Sequence, residues 1–363
     1  MKRRVLLSAC ALGVLLIAGT PIEAASTPES ARKVVLEKKE TGNRYKTIQA
    51  PVPKPGPGQL LVRMRAIALN RDDLEPLSYK DPPPDLVPGL DGAGEVVAVG
   101  PGTKQFKVGA RVTSLYFPKW VDGPPTAEKM KDSAGRNTNG VLADYVLRGE
   151  TDVAAIPPGW SFVDASTLPT AGLTAWSAVM VEGHAGPNKV VLVQGTGGVS
   201  TFALQLAHAA GAKVIVTSSS DEKLQKAREW GADLTINYAT TPEWGQKVLE
   251  LTGGAGADLI IEVGGRGTMA QSAKALARFG TISVIGGLTG YGGDLPAAML
   301  INKTARAVGI LVGSRAQLKD MQAFMTAHHM KPVIEKIYPL DQLGDAMKQL
   351  AENRFMGKIV IEP

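Results

Sequence analysis

Three glycines crowd the stretch VVLVQGTGGVS, residues 190–200: Gly195, Gly197 and Gly198. They follow an apolar run and precede the helical pattern of Phe202, Leu204, Leu206 and Ala207, which ends at Gly211. Glycines so placed let a backbone wrap a dinucleotide. The first allows the tight turn at the strand end, and the second lets the main chain approach a pyrophosphate. The amides that open the helix attract its negative charge, and Thr196 and Val199 complete the loop. A third glycine normally lets helix and strand pack closely, and here Ser200 holds that place. Serine is small enough to permit the approach, and its hydroxyl can bond within the helix or reach a phosphate. The plain alternative is a tight turn with no ligand.

Which dinucleotide fits depends on the end of the second apolar strand. NAD sites place Asp or Glu there, about 20 residues past the glycines, to bind the ribose hydroxyls. This chain has Thr217, Ser218 and Ser219, with no carboxylate before Asp221. Hydroxyls together with Lys223 suit a 2′-phosphate, because an ammonium compensates the added charge. That favours NADP over NAD. The same residues also have a purely structural reading. Ser219 and Glu222 have the spacing of a capping box, which leaves Lys223 a solvated helix residue.

The elements that must hold these residues change character along the chain. From about Ser26 to Asp152 the runs VVLEKK, QLLVRMRAIAL, GAGEVVAVG and ARVTSLYF are strand-like, cut by PVPKPGPG, DPPPDLVPG and PGTKQFKVG. Prolines and glycines at that density suit an irregular antiparallel barrel. The stretch PKWVDGPPTAEKMKDSAGRNTNG reads as a long surface loop, either a lid or a mobile excursion. After Pro157-Pro158-Gly159 strand and helix patterns alternate, which requires right-handed crossovers and a parallel sheet covered on both faces. TMAQSAKALARFG is read as one of those helices, TISVIGG as the strand after it, and GKIVIEP as a late strand.

The 363 residues carry a formal net charge of +6 with 44% hydrophobic content, which allows a sizeable buried core. The charge is dispersed, and no basic stripe alternates with aromatics, so nucleic acid is not an expected partner. Residues 1–25 read as a cleaved secretory signal, with MKRR followed by an apolar run too short to span a membrane. That predicts a periplasmic or secreted protein with no other membrane contact; a cytoplasmic protein with an uncleaved N-terminus is the fallback. Arg3 and Arg4 also resemble the twin-arginine signal of proteins exported folded. The single cysteine, Cys10, falls within this leader. The mature chain would therefore offer no thiol for a disulfide, a nucleophile or a metal ligand.

Taken together, ALNRDD (68–73), PGLDGAGEVVAVGPGT (88–103), FKVGARV (106–112), TLPTAGLTAW (167–176), VLVQGTGGVS, SSSDEK and GKIV (357–360) resemble the medium-chain dehydrogenase/reductase superfamily. They occur in the family's order and cover nearly all of residues 32–363. The nearest likeness is to its zinc-free, quinone oxidoreductase-like and alcohol dehydrogenase-like members. The resemblance implies an α/β fold: a GroES-like β-barrel domain plus a Rossmann doubly wound parallel-sheet domain, with the active site between them. The expected division is 26–165 for the barrel, completed by 315–363, and 166–314 for the nucleotide domain.

Zinc-dependent relatives hold their metal with Cys, His and Cys beside a Glu. The corresponding residues here are Asn70, Leu90 and Ala171, with Asp91 for the acid. A leucine and an alanine ligate nothing, so no metal is expected. The resemblance puts Asn70 in the cleft as hydrogen-bond donor to a substrate oxygen. Asp73 is expected beside it, more as a loop tie than a reactant. Tyr116 is a candidate phenol donor, with half-buried packing as its alternative. Thr174 is expected under the nicotinamide or, alternatively, as a helix cap. Gly264, Gly286 and Gly287 stand where strands end, as nucleotide sites require, and Lys358 is a candidate to reach the cofactor.

Hydride transfer without a metal suits acceptors that need little polarisation, namely quinones and α,β-unsaturated carbonyls. The sequence therefore predicts a zinc-independent, NADPH-dependent reductase of small electrophilic molecules. The alternatives are a zinc-free alcohol dehydrogenase and a nucleotide-binding protein without turnover. Relatives often dimerise through sheet edges, so a homodimer is an open expectation.

Overall fold

A computed structural model describes residues 27–40, 42–292 and 294–363. The expected leader, with Cys10 and the arginine pair, lies outside the described residues. Strands β1 (Ser30–Lys39) and β2 (Gly42–Pro51) form an antiparallel hairpin. They are followed by β3 (Gln59–Leu69), β4 (Asp91–Val99), β5 (Arg111–Ser114), β6 (Tyr145–Gly149) and β7 (Val153–Ala155). Two late strands, β14 (Ile334–Pro339) and β15 (Lys358–Glu362), return to the same sheet. Its order is β14-β15-β3-β4-β5-β7, with β6 also paired to β3. Antiparallel pairing of β15 with β3 sets Val360 opposite Ala68, so residues almost 300 positions apart complete one wall.

The second sheet is parallel and contains β8 (Val190–Gln194), β9 (Lys213–Ser218), β10 (Leu234–Asn237), β11 (Ala257–Glu262), β12 (Leu276–Val284) and β13 (Arg306–Gly309). Their order is β10-β9-β8-β11-β12-β13. Side-chain alternation shows why these runs are so apolar. Val191, Val193, Val214, Val216, Leu259 and Ile261 enter one core cluster. Leu192, Ile215, Ile260 and Ile282 enter another on the opposite face. With both faces buried, either parity must be hydrophobic. Each such side chain contributes about 1.5–3 kcal/mol on burial.

The strand order reverses between β8 and β11, and that switch point is where an open α/β sheet leaves a crevice. Over it lies the helical run 162–182, which includes two wide π turns, Leu168–Gly172 and Ser177–Glu182. This run carries Thr170, Ala171 and Thr174 from the barrel toward the nucleotide sheet.

One element departs from the sequence pattern. The helix expected through TMAQSAKALARFG stops at Ala275, and β12 begins already at Leu276. Leu276 is fully buried in the cluster with Leu192 and Ile260, which draws the backbone into the sheet early. A register shift against β11 and a left-handed φ of 62° at Phe279 accommodate the change. The 118–140 loop has little regular structure but is tied down. Arg315 and Ala316 donate their amides to Trp120 O (2.9 Å) and Val121 O (3.0 Å).

Candidate active site

Gly195 adopts a φ of 72° and donates its amide to Thr217 O at 2.7 Å, ending β8 in a tight turn. A side chain at Gly197 would meet nothing within 4 Å, so the loop presents an open face. The helix Gly198–Ala209 starts here, and its first-turn amides have no acceptor within the helix. An open face beside free helix-opening amides is what an anion site requires. Ser200 settles what replaces the third glycine. Its hydroxyl is buried and donates to Gln194 O at 2.7 Å, so it ties helix to strand and does not face a phosphate. From the other side, Gly357 donates its amide to Thr196 O at 2.9 Å, and a Cβ on Gly198 would lie 2.8 Å from Lys358 Cδ.

At the end of β9, Ser218 is buried and Ser219 exposed. The capping residue of the next helix is Ser220, whose hydroxyl accepts from Lys223 N at 3.4 Å. The capping box expected between Ser219 and Glu222 is therefore not formed: the cap is the next residue, with Lys223 in the place a box needs an acceptor, and the Ser219 hydroxyl is uncommitted to it. Asp221 accepts from Asn237 Nδ2 at 2.8 Å. Lys223 Nζ is not simply solvated; it donates to Phe355 O at 3.3 Å. Hydroxyls and one ammonium thus stand where an NAD site has its acid.

The crevice floor is built by two polar side chains that the sequence reading passed over. Gln194 ends β8 and Glu262 ends β11, and Gln194 Nε2 donates to Glu262 Oε2 at 2.6 Å. Gln194 Oε1 accepts the amides of Val263 and Gly264, both at 3.2 Å. Gly264 opens the loop after β11, and Gly286 and Gly287 open the loop after β12. The two loops are zipped together, with Leu288 N on Val263 O at 3.2 Å and Thr289 N on Gly264 O at 2.8 Å. The signal was a single polar residue closing each apolar strand.

At the barrel side of the cleft, Asn70 is buried and fully engaged. Its Nδ2 donates to Asp91 Oδ2 at 3.0 Å and to Ala68 O at 3.3 Å, while Oδ1 accepts from Lys358 Nζ at 2.5 Å. It bridges two buried charges and has no donor left for a substrate oxygen. Thr170 donates its hydroxyl to Asp91 Oδ1 at 2.7 Å and its amide to Oδ2 at 3.0 Å. Lys358 Nζ also donates to Leu69 O at 2.5 Å. Burial pushes the Asp91 carboxyl up, opposed by the Lys358 charge, and burial pushes the Lys358 ammonium down.

Asp73 accepts the amides of Asn70 (2.6 Å) and Leu90 (3.1 Å), tying the turn after β3 to β4. Burial pushes its carboxyl up to about 7, against the pull of the Asn70 amide. Tyr116, the expected phenol donor, points its proton at Asp72 Oδ2 (3.1 Å) and accepts from Arg136 Nη1 at 2.8 Å. Arg136 also bonds Glu75, which pins the 118–140 loop over this end. Burial holds the phenol above its ordinary range. Thr174 is buried within the helical run.

The chain matches the family model for the alcohol dehydrogenase GroES-like domain over residues 56–158. It matches the zinc-binding dehydrogenase model over 198–327. It is 39% identical over 344 residues to a zinc-type alcohol dehydrogenase-like protein of Schizosaccharomyces pombe, covering 91% of this chain and 99% of that protein. The chain belongs to the medium-chain dehydrogenase/reductase superfamily. Another member, the 2-methylene-furan-3-one reductase of Solanum lycopersicum, is 30% identical over 320 residues, covering 86% of this chain and 74% of that one. The crystal structure of a candidate alcohol dehydrogenase from Sinorhizobium meliloti 1021 superposes with a TM-score of 0.88 at 39% identity, covering 93% of this chain and all of that one.

As a member of the superfamily the chain is an oxidoreductase, with a GroES-like barrel and a Rossmann-type sheet. At the three positions that the resemblance sets against zinc ligands, Leu90 and Ala171 are buried apolar residues and Asn70 is spent on Asp91 and Lys358. Among the described residues no three His, Cys, Asp or Glu side chains converge as a metal set. His184 and His329 have left-handed φ values just beyond helices, and His328 caps one.

Proposed function

We propose that this oxidoreductase uses NADPH, without zinc, to reduce quinones or α,β-unsaturated carbonyl compounds. The observation that carries the reading is the donor set in the cleft, where Leu90 and Ala171 offer no lone pair to a metal. Bound NADPH supplies the hydride, and this chain's residues bind and orient the reactants. Thr196, Gly197, Gly198 and Val199 take the pyrophosphate, and Ser218, Ser219 and Lys223 take the 2′-phosphate. Thr174 and the loops at Gly264 and at Gly286-Gly287 bound the nicotinamide pocket. Lys358 stands beside Gly198 and holds the cleft floor together through Asn70. The named activity of the tomato reductase supports an enone acceptor.

A zinc-free alcohol dehydrogenase is the second reading, favoured by the names of the other relatives. The two separate in one assay, in which NADPH consumption is followed with quinones, enones and simple ketones, and NADP reduction with alcohols. Turnover with quinones or enones that survives exhaustive chelation is the expected result. Stoichiometric zinc whose removal abolishes activity, or turnover with alcohols alone, contradicts the proposal.

Two further expectations belong to this reading. The leader directs the protein across a membrane already folded around its coenzyme. A second copy covers the open edge of β13, beside which the helix Ala297–Lys303 buries none of its residues.

A further inference from the structure

Glu262 is fully buried and accepts five hydrogen bonds, all from N–H or O–H donors. Oε1 takes the amides of Gly264 and Gly265, both at 2.9 Å, and the hydroxyl of Thr268 at 2.5 Å. Oε2 takes Gln194 Nε2 at 2.6 Å and the hydroxyl of Ser272. A site made only of donors suits a carboxylate, which accepts at both oxygens and donates at neither. No neutral side chain of that shape serves them all.

The placement of this group distinguishes it from ordinary core packing. β8 and β11 are neighbours at the switch point, so the Gln194–Glu262 bond runs beneath the crevice itself. Each partner continues into one wall. Gln194 O accepts from Ser200, which fixes the start of the helix Gly198–Ala209 behind the glycine loop. Glu262 fixes the amides of Gly264 and Gly265 in the opposite loop. The separation of the two walls is thereby set by rigid, charge-assisted bonds.

We propose that Glu262 is a positioning residue for the nicotinamide half of the coenzyme. The inference rests on the NADPH reading above. Through Gln194 it fixes the width of the crevice that this half must cross, while the adenosine half lies on the far side of β8, toward Ser218 and Lys223. Its loss therefore weakens the whole coenzyme more than an adenosine fragment.

The test compares binding of NADPH and of adenosine 2′,5′-bisphosphate to the wild-type chain, Glu262→Gln and Gln194→Met. Gln194→Met removes the cross-crevice bond and leaves Glu262 its other four donors, so it decides the matter if Glu262→Gln does not fold. In each folded variant NADPH binding is expected to weaken about tenfold, a change of about 1.4 kcal/mol, with the fragment unchanged. The KM for NADPH rises with it, while kcat at saturation changes less. Equal weakening of both probes, or none of either, overturns the proposal. A wild-type chain that binds neither NADPH nor the fragment overturns the coenzyme reading on which it stands.

Discussion

At the scale of single residues, the site is held by side chains whose polar atoms are already spent. Asn70 is the clearest case, because Asp91 and Lys358 fix the orientation of its amide from opposite ends. Ser200 is another. Restoring the glycine fingerprint by Ser200→Gly removes a buried hydrogen bond and adds backbone freedom to a helix. We expect a loss of about 1–2 kcal/mol in denaturant unfolding, with no gain in coenzyme affinity. Asp73 makes stability depend on pH. Its carboxyl titrates near about 4 when unfolded and at about 7 in the folded chain. The folded state holds the extra proton between those values, so this contribution is complete below about 4 and is lost as pH rises through about 7. Melting curves should show the advantage of wild type over Asp73→Asn shrinking across that window. Lys223→Ala is expected to weaken NADPH about tenfold and leave NADH unchanged, as read by direct binding.

At the scale of elements, the alternation of apolar strands with helical patterns made the parallel sheet legible, and the glycine triplet marked its first turn. The barrel was legible only in part: prolines and glycines bounded the runs of β1, β3, β4 and β5, while β2, β6, β7 and β14 were not read from the sequence. What local pattern could not show were partners far apart in sequence. Glu262 meets Gln194 across 68 positions, and Lys358 meets Asn70 across 288. Asn70 and Tyr116 have the expected chemistry, yet their donors are committed to neighbours that no spacing rule reveals. The early start of β12 escaped notice because ALARF reads as helix until the burial of Leu276 is known. Gly357 tests the contact between elements. It has a φ of 64°, and a Cβ there would lie 2.2 Å from Val333 O. Gly357→Ala should cost about 1–3 kcal/mol and also weaken coenzyme binding, because its amide supports Thr196.

At the scale of the whole molecule, exposed large apolar side chains are scattered, from Val108 before β5 to Phe279 in β12, and two of the most exposed lie between β12 and β13. Tyr291 is 80% exposed and Ile301 76%, both in the segment that leads into β13, the last strand of its sheet. Open strand edges flanked by apolar side chains invite pairing with another chain. Sedimentation should give twice the 38.1 kDa of the chain, less any cleaved leader, and Ile301→Glu should shift it toward the monomer. A dimer that survives this change would place the contact elsewhere.

The pairing of β15 with β3 and the bond from Gly357 to Thr196 carry a consequence for synthesis. Neither the barrel wall nor the phosphate loop is finished until residues 357–362 have left the ribosome. Everything before them emerges as an unclosed precursor, so coenzyme capture must await this segment and cannot guide the folding of what precedes it. A ribosome-stalled chain ending before residue 357 should therefore fail to retain NADPH on an affinity resin that holds the released protein.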